Sequence, residues 1–433
     1  MKPLTRKLNK KETQNLPKQS SIPLSFLQRI YPLNSLTKQF LGGSLILLIT
    51  FNLFNLINFF FQFSMARLLS VEHYGILATL FSMLYVIVVF AESIQVVTTK
   101  YSAEQENKGK LKNLFKRTFK KAIKFSIVIF AAYLVIMYPL APLLKIPYSL
   151  LAMNGLLIIT SFLIPTTRGI LQGKKRFTAL GINLVIEGLV KLSLAIALVM
   201  LGWSVYGALG ATIISIFIAL ALSLIPLRDI LKAKEENIVL DDIYSYTKPV
   251  FIVMLAILLF YNLDMFIAKI MFTPEIAGNY AIASMLAKMV FLATQPISKA
   301  LFPMTAEKKS KKDSEKLLKQ ALTFLSLCLV VALLAFYFFP ALIVQIFSGK
   351  TLPSASGILF ILGLAMAIAS IANLLLFYNL SKGKTKNAHH LFVFILIEAI
   401  LLYFFSNNVF QFALALLASA TIFLWGVIHF FRE

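Results

Sequence analysis

Nine ionisable residues stand inside stretches that are otherwise apolar: Glu92, Lys124, Glu187, Lys191, Asp264, Lys269, Lys288, Lys299 and Glu398. In hydrocarbon such a group costs about 2.5–3.5 kcal/mol at a helix centre, so one that persists faces a cavity, a partner or an interface. Lys124, Lys269 and Lys299 lie near the ends of their stretches, where a long side chain can snorkel to the headgroups. Glu187 precedes Lys191 by four residues, the spacing of an ion pair on one helical face, serving either as a neutralised structural pair or as part of a site. Lys288 and Lys299, eleven residues apart, fall within about 20° on an ideal helix. With Gln295 they predict a basic stripe, bent near Pro296. Asn55, Asn58 and Gln62 fall within about 60° of arc, with Asn52 at the margin. That amide stripe suits helix packing through hydrogen bonds or, beside Glu92, the wall of a hydrated cavity. Asp264 is the lone aspartate of these stretches, and its expected place is the protein interior. Ammonium groups of this kind bind anions, amides hold polyols, and buried carboxylates carry protons or small cations.

The elements that position these groups are membrane spans. Of the 433 residues 59% are apolar, and the mean hydropathy is +0.83; ordinary globular domains carry about 45–50% apolar residues. A span needs about 20 apolar residues, so the chain can fill about a dozen. This excludes a soluble enzyme. A single cysteine, Cys328 in an apolar run, excludes a disulfide scaffold and a cysteine metal site. Twelve segments are predicted: 42–64, 75–97, 119–142, 149–167, 179–201, 205–226, 249–272, 276–302, 318–346, 355–380, 389–406 and 409–430. Residues 1–40 are polar and basic and lack the apolar core and small-residue cleavage site of a signal peptide. Within them 22–36 reads as a short interfacial segment.

The formal charge of +24 would suggest nucleic acid in a soluble protein. Its placement says otherwise. Thirty-four of the 42 Lys and Arg residues lie in the N-terminal segment, in alternate connections such as Lys100–Lys121, and at the C-terminus; the other connections hold only Arg67, Lys145 and Lys350. By the positive-inside rule both termini are cytoplasmic, and no nucleic-acid role is left to explain. The basic loops can also attract anionic lipid headgroups. The outward connections, such as Leu143–Tyr148 and Thr273–Glu275, are too short for an external catalytic domain.

The polar interruption around 228–248 divides the chain into a six-span unit at 41–227 and another at 249–433. At a shift of 202–203 residues Ala66-Arg67 falls on Ala268-Lys269, and Glu72, Gly75 and Ala78 fall on Glu275, Gly278 and Ala281. At 201, Pro139 falls on Pro340. An even number of spans per unit implies parallel repeats, with a substrate site between them and alternating access. Other chemistry has little support. His73, His389, His390 and His429 lack metal-ligand spacing, Asp241-Asp242 reads as a helix cap, and no phosphate loop or nucleophile elbow occurs. No metal or cofactor is expected.

Three segments resemble the polysaccharide transporter, or oligosaccharide flippase, family of the superfamily that includes the multidrug and toxin exporters. ARLLSVEHYGILA (Ala66–Ala78) resembles the family's Ala-Arg-Leu-Leu, acidic turn and Tyr-Gly. NLDMFIAKIMFTPEIAGNYAIAS (Asn262–Ser284) resembles the segment with an aspartate, a Pro-Glu turn and Gly-x-Tyr-x-x-Ala. GILQGKKRFTALGI (Gly169–Ile182) resembles the inner loop before the fifth helix. The family often carries arginine near Lys269 and often builds fourteen helices rather than twelve.

The resemblance implies an all-α, MATE-like membrane protein of two pseudo-symmetric lobes. It further implies a non-enzymatic flippase of a polyprenyl-pyrophosphate oligosaccharide for surface polysaccharide synthesis, in the cytoplasmic membrane. Partners would be the lipid-linked oligosaccharide, membrane lipids, and a polymerase or glycosyltransferases of the same pathway. Candidate pyrophosphate ligands are Arg67, Arg168, Lys191, Lys288 and Lys299, with Asn55, Asn58 and Gln62 for sugars. Asp264, Glu92 and Glu187 are candidates for coupling. A cation-coupled drug or metabolite exporter of the same fold is the alternative, though it would favour a more acidic cavity. A membrane polymerase or ligase would need a larger outer loop.

Overall fold

The computed structural model describes residues 35–237, 244–306, 311–383 and 388–430. The basic segment 1–34 with most of its proposed interfacial stretch, Asp241-Asp242, and the basic residues Lys308, Lys309, Lys384, Lys386 and Arg432 lie outside these.

The chain is all helical. Helices α1 (Ser35–Leu68), α2 (Val71–Glu104), α3 (Lys108–Leu144), α4 (Tyr148–Gly173), α5 (Phe177–Leu198) and α6 (Ser204–Leu224) are followed by a single turn, α7 (Arg228–Leu231). Then come α8 (Tyr244–Met271), α9 (Pro274–Ala306), α10 (Lys311–Phe338), α11 (Pro340–Ser348), α12 (Pro353–Ser381), α13 (Leu391–Phe404) and α14 (Val409–Phe430). Each of the twelve longer helices corresponds to one predicted span. Among the described residues ten stretches are long and apolar enough to cross a membrane; one of these, Phe177–Leu231, holds both α5 and α6. The protein is a multi-pass integral membrane protein.

Two spans differ from expectation. The predicted 318–346 is broken at Phe339: Pro340 lacks an amide hydrogen and begins α11, so α10 ends at Phe338. Its repeat counterpart, Pro139, is absorbed within α3. The predicted 389–406 becomes α13, only 14 residues long, shorter than the about 20 residues a perpendicular crossing needs. The reversal between α5 and α6 passes through a π-helical turn in which Gly202 takes φ 92°, a conformation that excludes most side chains.

Side chains and backbone polar groups mark the helix ends. Ser70 accepts from the His73 amide at 3.2 Å to start α2, and Asn107 accepts from the Gly109 and Lys110 amides to start α3. Lys145 ends α3 at φ 53°, and Gly349 ends α11 at φ 69°.

Packing follows the same order in both parts of the chain. Helix α4 sits against α2, α3 and α6, while α12 sits against α9, α10 and α14; α1 packs on α5, and α8 on α13. Helices α4, α9 and α12 are largely enclosed, whereas α3 and α10 leave most of their apolar surface open, as at Val135, Tyr138, Leu327 and Val331. Outward apolar faces of this kind suit a bilayer. Between the halves α2 packs on α8 and α9. The residues aligned by the repeat, Gly75 and Gly278, meet there. A Cβ on Gly75 would lie 2.9 Å from the Gly278 Cα, and one on Gly278 would lie 2.2 Å from the Val71 carbonyl oxygen. Only glycine permits so close a crossing.

Candidate functional site

Polar side chains of the first half converge where α1, α4 and α5 meet. Gly181 and Gly188 of α5 turn toward Thr50 and Ile57 of α1, so the two helices approach closely. Arg168 of α4 donates from Nε and Nη2 to Asn183 Oδ1 at 2.9 and 2.8 Å, and from Nη2 to Glu187 Oε2. Asn183 in turn donates to the Ala219 carbonyl at 2.6 Å, anchoring the group to α6. Arg168, Asn183 and Glu187 are all buried. Lys191 donates to Asn58 Oδ1 and lies 4.7 Å from the centroid of the Phe61 ring.

This arrangement corrects the expected Glu187–Lys191 pair. Spacing made that pair possible, but Arg168 on the neighbouring helix presents a planar fork that an i, i+4 lysine lacks. Glu187 therefore pairs with Arg168, and Lys191 turns to α1. Arg168 is a buried residue of α4, one position past the predicted span 149–167. The amide stripe of α1 also divides: Asn55 is exposed, Asn58 is half-buried, and buried Gln62 accepts from Tyr74 Oη at 3.4 Å.

A second cluster lies in the other half. Asp264 of α8 is fully buried and accepts from Tyr280 Oη at 2.8 Å, Ser284 Oγ at 2.9 Å and Lys288 Nζ at 2.8 Å, all three donors on α9. Their spacing of four residues brings each round to the same face. Lys288 Nζ also lies 5.0 Å from the Tyr261 ring centroid. The expected basic stripe is not formed. Although α9 is continuous through Pro296, Lys288 is buried against Asp264 while Lys299 is exposed. Glu398 of α13 is within electrostatic reach of Asp264 and Lys288, is 0% exposed, and neither of its oxygens has a hydrogen-bond partner among the described residues.

Lys269 does not snorkel. It is 1% exposed, and its Nζ makes no hydrogen bond among the described residues. Lys124 and Glu92 are exposed. Arg67 joins neither cluster: it stands at the end of α1, donates to the Ile346 carbonyl from Nε at 3.2 Å and Nη2 at 2.5 Å, and covers the Phe63 ring at 4.5 Å.

At the opposite end, the basic loops are tied to the segment after α6. Arg176 makes a bidentate pair with Asp229 at 2.9 and 2.8 Å, and Lys108 reaches the same carboxylate at 3.0 Å. The Arg176 hydrogen bonds, aided by Lys108, hold Asp229 below the usual carboxylate range. Lys116 and Asn113 do the same for Glu235.

In the sequence Glu398 stands out as an intramembrane charge without a role, Tyr280 and Ser284 fall inside the segment Asn262–Ser284 without one, and Asn183 is not marked at all. The last three are hydrogen-bonding partners, and nothing in their spacing separates them from the many other polar residues of the helices. Among the described residues no cluster of His, Cys, Asp or Glu is suited to a metal ion.

The twelve longer helices in this packing form a MATE-like fold. A multidrug resistance MATE transporter in an inward-facing conformation superposes with a TM-score of 0.69 at 15% identity, over 87% of this chain and 94% of that one. Lipid II flippase MurJ, in an inward closed conformation, gives 0.67 at 15% identity, over 89% and 87%. A MOP superfamily transporter from Pyrococcus furiosus gives 0.61 at 14% identity, over 92% and 96%. Among curated proteins none matches in sequence. A family model described as "Polysaccharide biosynthesis protein" matches residues 41–309. The chain belongs to that family.

Proposed function

We propose that the protein is a flippase that carries a polyprenyl-pyrophosphate oligosaccharide from the inner to the outer leaflet of the cytoplasmic membrane. The observation that carries this reading is the family itself: a polysaccharide-biosynthesis chain built as a transporter bundle. Short helix connections such as 145–147, 272–273 and 405–408 leave no room for an added domain at that end of the bundle.

On this reading the units 41–227 and 249–433 are two lobes that rock against each other, with the basic-loop end and both termini in the cytoplasm. Lys191 is the leading pyrophosphate ligand. It is half-buried, and its contacts are an amide and a ring rather than a carboxylate, so an anion gains a charge-assisted bond without first breaking an ion pair. Arg168 positions Glu187 and sets the positive balance beside it. Asn55 and Asn58 offer amides to sugar hydroxyls. Lys299 and Arg67 serve on entry and exit. The polyprenyl chain stays in lipid throughout.

Coupling belongs to the other lobe. Asp264 already has three donors, whereas a buried Glu398 without one is costly as an anion. Glu398 therefore takes a proton or small cation, and Asp264–Lys288 responds to its charge; Glu92 and Glu187 have less direct parts. Deleting the gene in its native host tests the function. Lipid-linked glycan should accumulate in the inner leaflet while surface polymer falls; normal surface polymer without accumulation would reject the flippase reading.

A further inference from the structure

The short connections at the Arg67 end hold three basic residues, Arg67, Lys145 and Lys350, and each donates across to the other half. Lys350 Nζ reaches the Ala66 carbonyl at 2.7 Å and the Leu69 carbonyl at 2.9 Å, at the C-terminus of α1. Lys145 Nζ reaches the Phe272 carbonyl at 2.7 Å, just past α8, and the Ile270 carbonyl at 3.5 Å. Arg67 completes the set at the Ile346 carbonyl of α11. Leu69 and Phe272 are 203 residues apart, and Lys145 and Lys350 are 205 apart. The two lysine contacts are therefore one interaction made twice, once in each direction. Each ammonium meets the free carbonyls and negative pole of a helix terminus belonging to the opposite half.

We propose that Lys145 and Lys350, assisted by Arg67, form a repeat-related latch that holds this end of the bundle shut and releases when the halves part. The same region is sealed by the Gly75–Gly278 crossing and by Phe347, whose ring meets Phe63 at 6.2 Å and Tyr74 at 6.3 Å. Lys350 Nζ also donates to the Ser348 carbonyl of its own half at 3.3 Å, but the bonds to Ala66, Leu69, Ile270, Phe272 and Ile346 all span the two halves, so a rigid-body separation breaks those together. Apolar sealing alone would leave the position of closure loose, whereas two point charges on two helix ends fix it. Burial lowers the Lys350 ammonium below the ordinary lysine value, and the carbonyls around it offset that desolvation. Lys269, the repeat counterpart of Arg67, has no such bond among the described residues, so the latch has three arms rather than four. The inference rests on the alternating-access reading above.

The test uses the full chain with Cys328→Ser, reconstituted in lipid nanodiscs, with spin labels on one of two cysteine pairs. Ser70→Cys with Ser354→Cys reports the latch end, and Lys175→Cys with Asp313→Cys reports the opposite end. Lys145→Gln with Lys350→Gln should raise the ratio of long to short Ser70–Ser354 distances at least tenfold. Lys145→Arg with Lys350→Arg should keep it within threefold of the parent. Each single Gln variant should fall between. Lys120→Gln with Lys124→Gln, which removes two exposed charges elsewhere, should change nothing. An unchanged Ser70–Ser354 distribution in the Gln double variant, or an equal shift in the Lys120/Lys124 control, overturns the latch. If the latch end opens while the Lys175–Asp313 distance fails to shorten, the latch stands and alternating access is rejected.

Discussion

Asp264→Asn is expected to destabilise the protein far more than its small change of shape suggests. The native carboxylate is fully buried and receives three donors at 2.8–2.9 Å. The amide keeps one accepting oxygen and turns a donor toward hydroxyls or an ammonium that are donors themselves. The Lys288 side chain is only 5% exposed and loses its hydrogen-bonded counter-charge, leaving the Tyr261 ring and, at longer range, Glu398 beside it. Breaking a buried pair from one side costs about 3–5 kcal/mol, because the other charge is stranded. Adding Lys288→Met removes that stranded charge with a side chain of similar length. The double variant should thus be more stable than Asp264→Asn alone, with a coupling of about 2 kcal/mol or more, at the upper end of what neighbouring residues show. Unfolding by sodium dodecyl sulfate in mixed micelles, followed by circular dichroism, measures all four members of the cycle. A coupling below about 0.5 kcal/mol would mean that Asp264 and Lys288 stabilise the fold independently, and the ionic account of this cluster would be wrong.

Other outcomes follow from the same geometry. Gly278→Ala places a methyl group 2.2 Å from the Val71 carbonyl oxygen. It should cost about 1–3 kcal/mol as an overpacked contact and lower the monodisperse fraction in size-exclusion chromatography, while Gly357→Ala, which meets nothing within 4 Å, should not. Arg168→Lys keeps the charge but loses the fork that binds Asn183 and Glu187 together. It should lower thermal stability nearly as much as Arg168→Gln, and parity with wild type would refute a geometric role. Asp229 sits below its ordinary pKa, so its stabilising contribution is present above about pH 3.9, the unfolded value, and is lost only as pH falls through the lower folded value. Hydrogen exchange at residues 174–176 should therefore be insensitive to Asp229 titration between pH 7 and 5, once corrected for intrinsic rates, whereas Asp229→Asn should speed it at pH 7 by the modest amount that an exposed pair supports, up to about 1 kcal/mol.

What the sequence discloses here depends on the range of the interaction. Span positions follow from local composition, and all twelve longer helices were legible; the exceptions were ends that depend on a single residue, as where Pro340 cuts one span and is matched by a tolerated Pro139. Intramembrane charges were equally visible, since any charge in an apolar run stands out. Their partners were not. The i, i+4 rule found Glu187 and Lys191 on one face, but the stronger partner, Arg168, lay 19 residues away on the next helix. Lys288 and Lys299 shared a face on an ideal helix, yet depth in the bundle separated them, and periodicity carries no information on depth. The three basic residues of the short connections were legible as exceptions to the charge distribution; that they cross between the halves emerged only from tertiary packing.

The central claim is tested most directly by leaflet-resolved transport. Purified protein in liposomes, given a fluorescent polyprenyl-pyrophosphate oligosaccharide in one leaflet, should deliver it to the other well above protein-free vesicles. Lys191→Gln, at equal reconstitution, should reduce the rate at least tenfold. Transport no faster than in protein-free vesicles would contradict the flippase account, and a wild-type rate in Lys191→Gln would contradict the assignment of its pyrophosphate ligand.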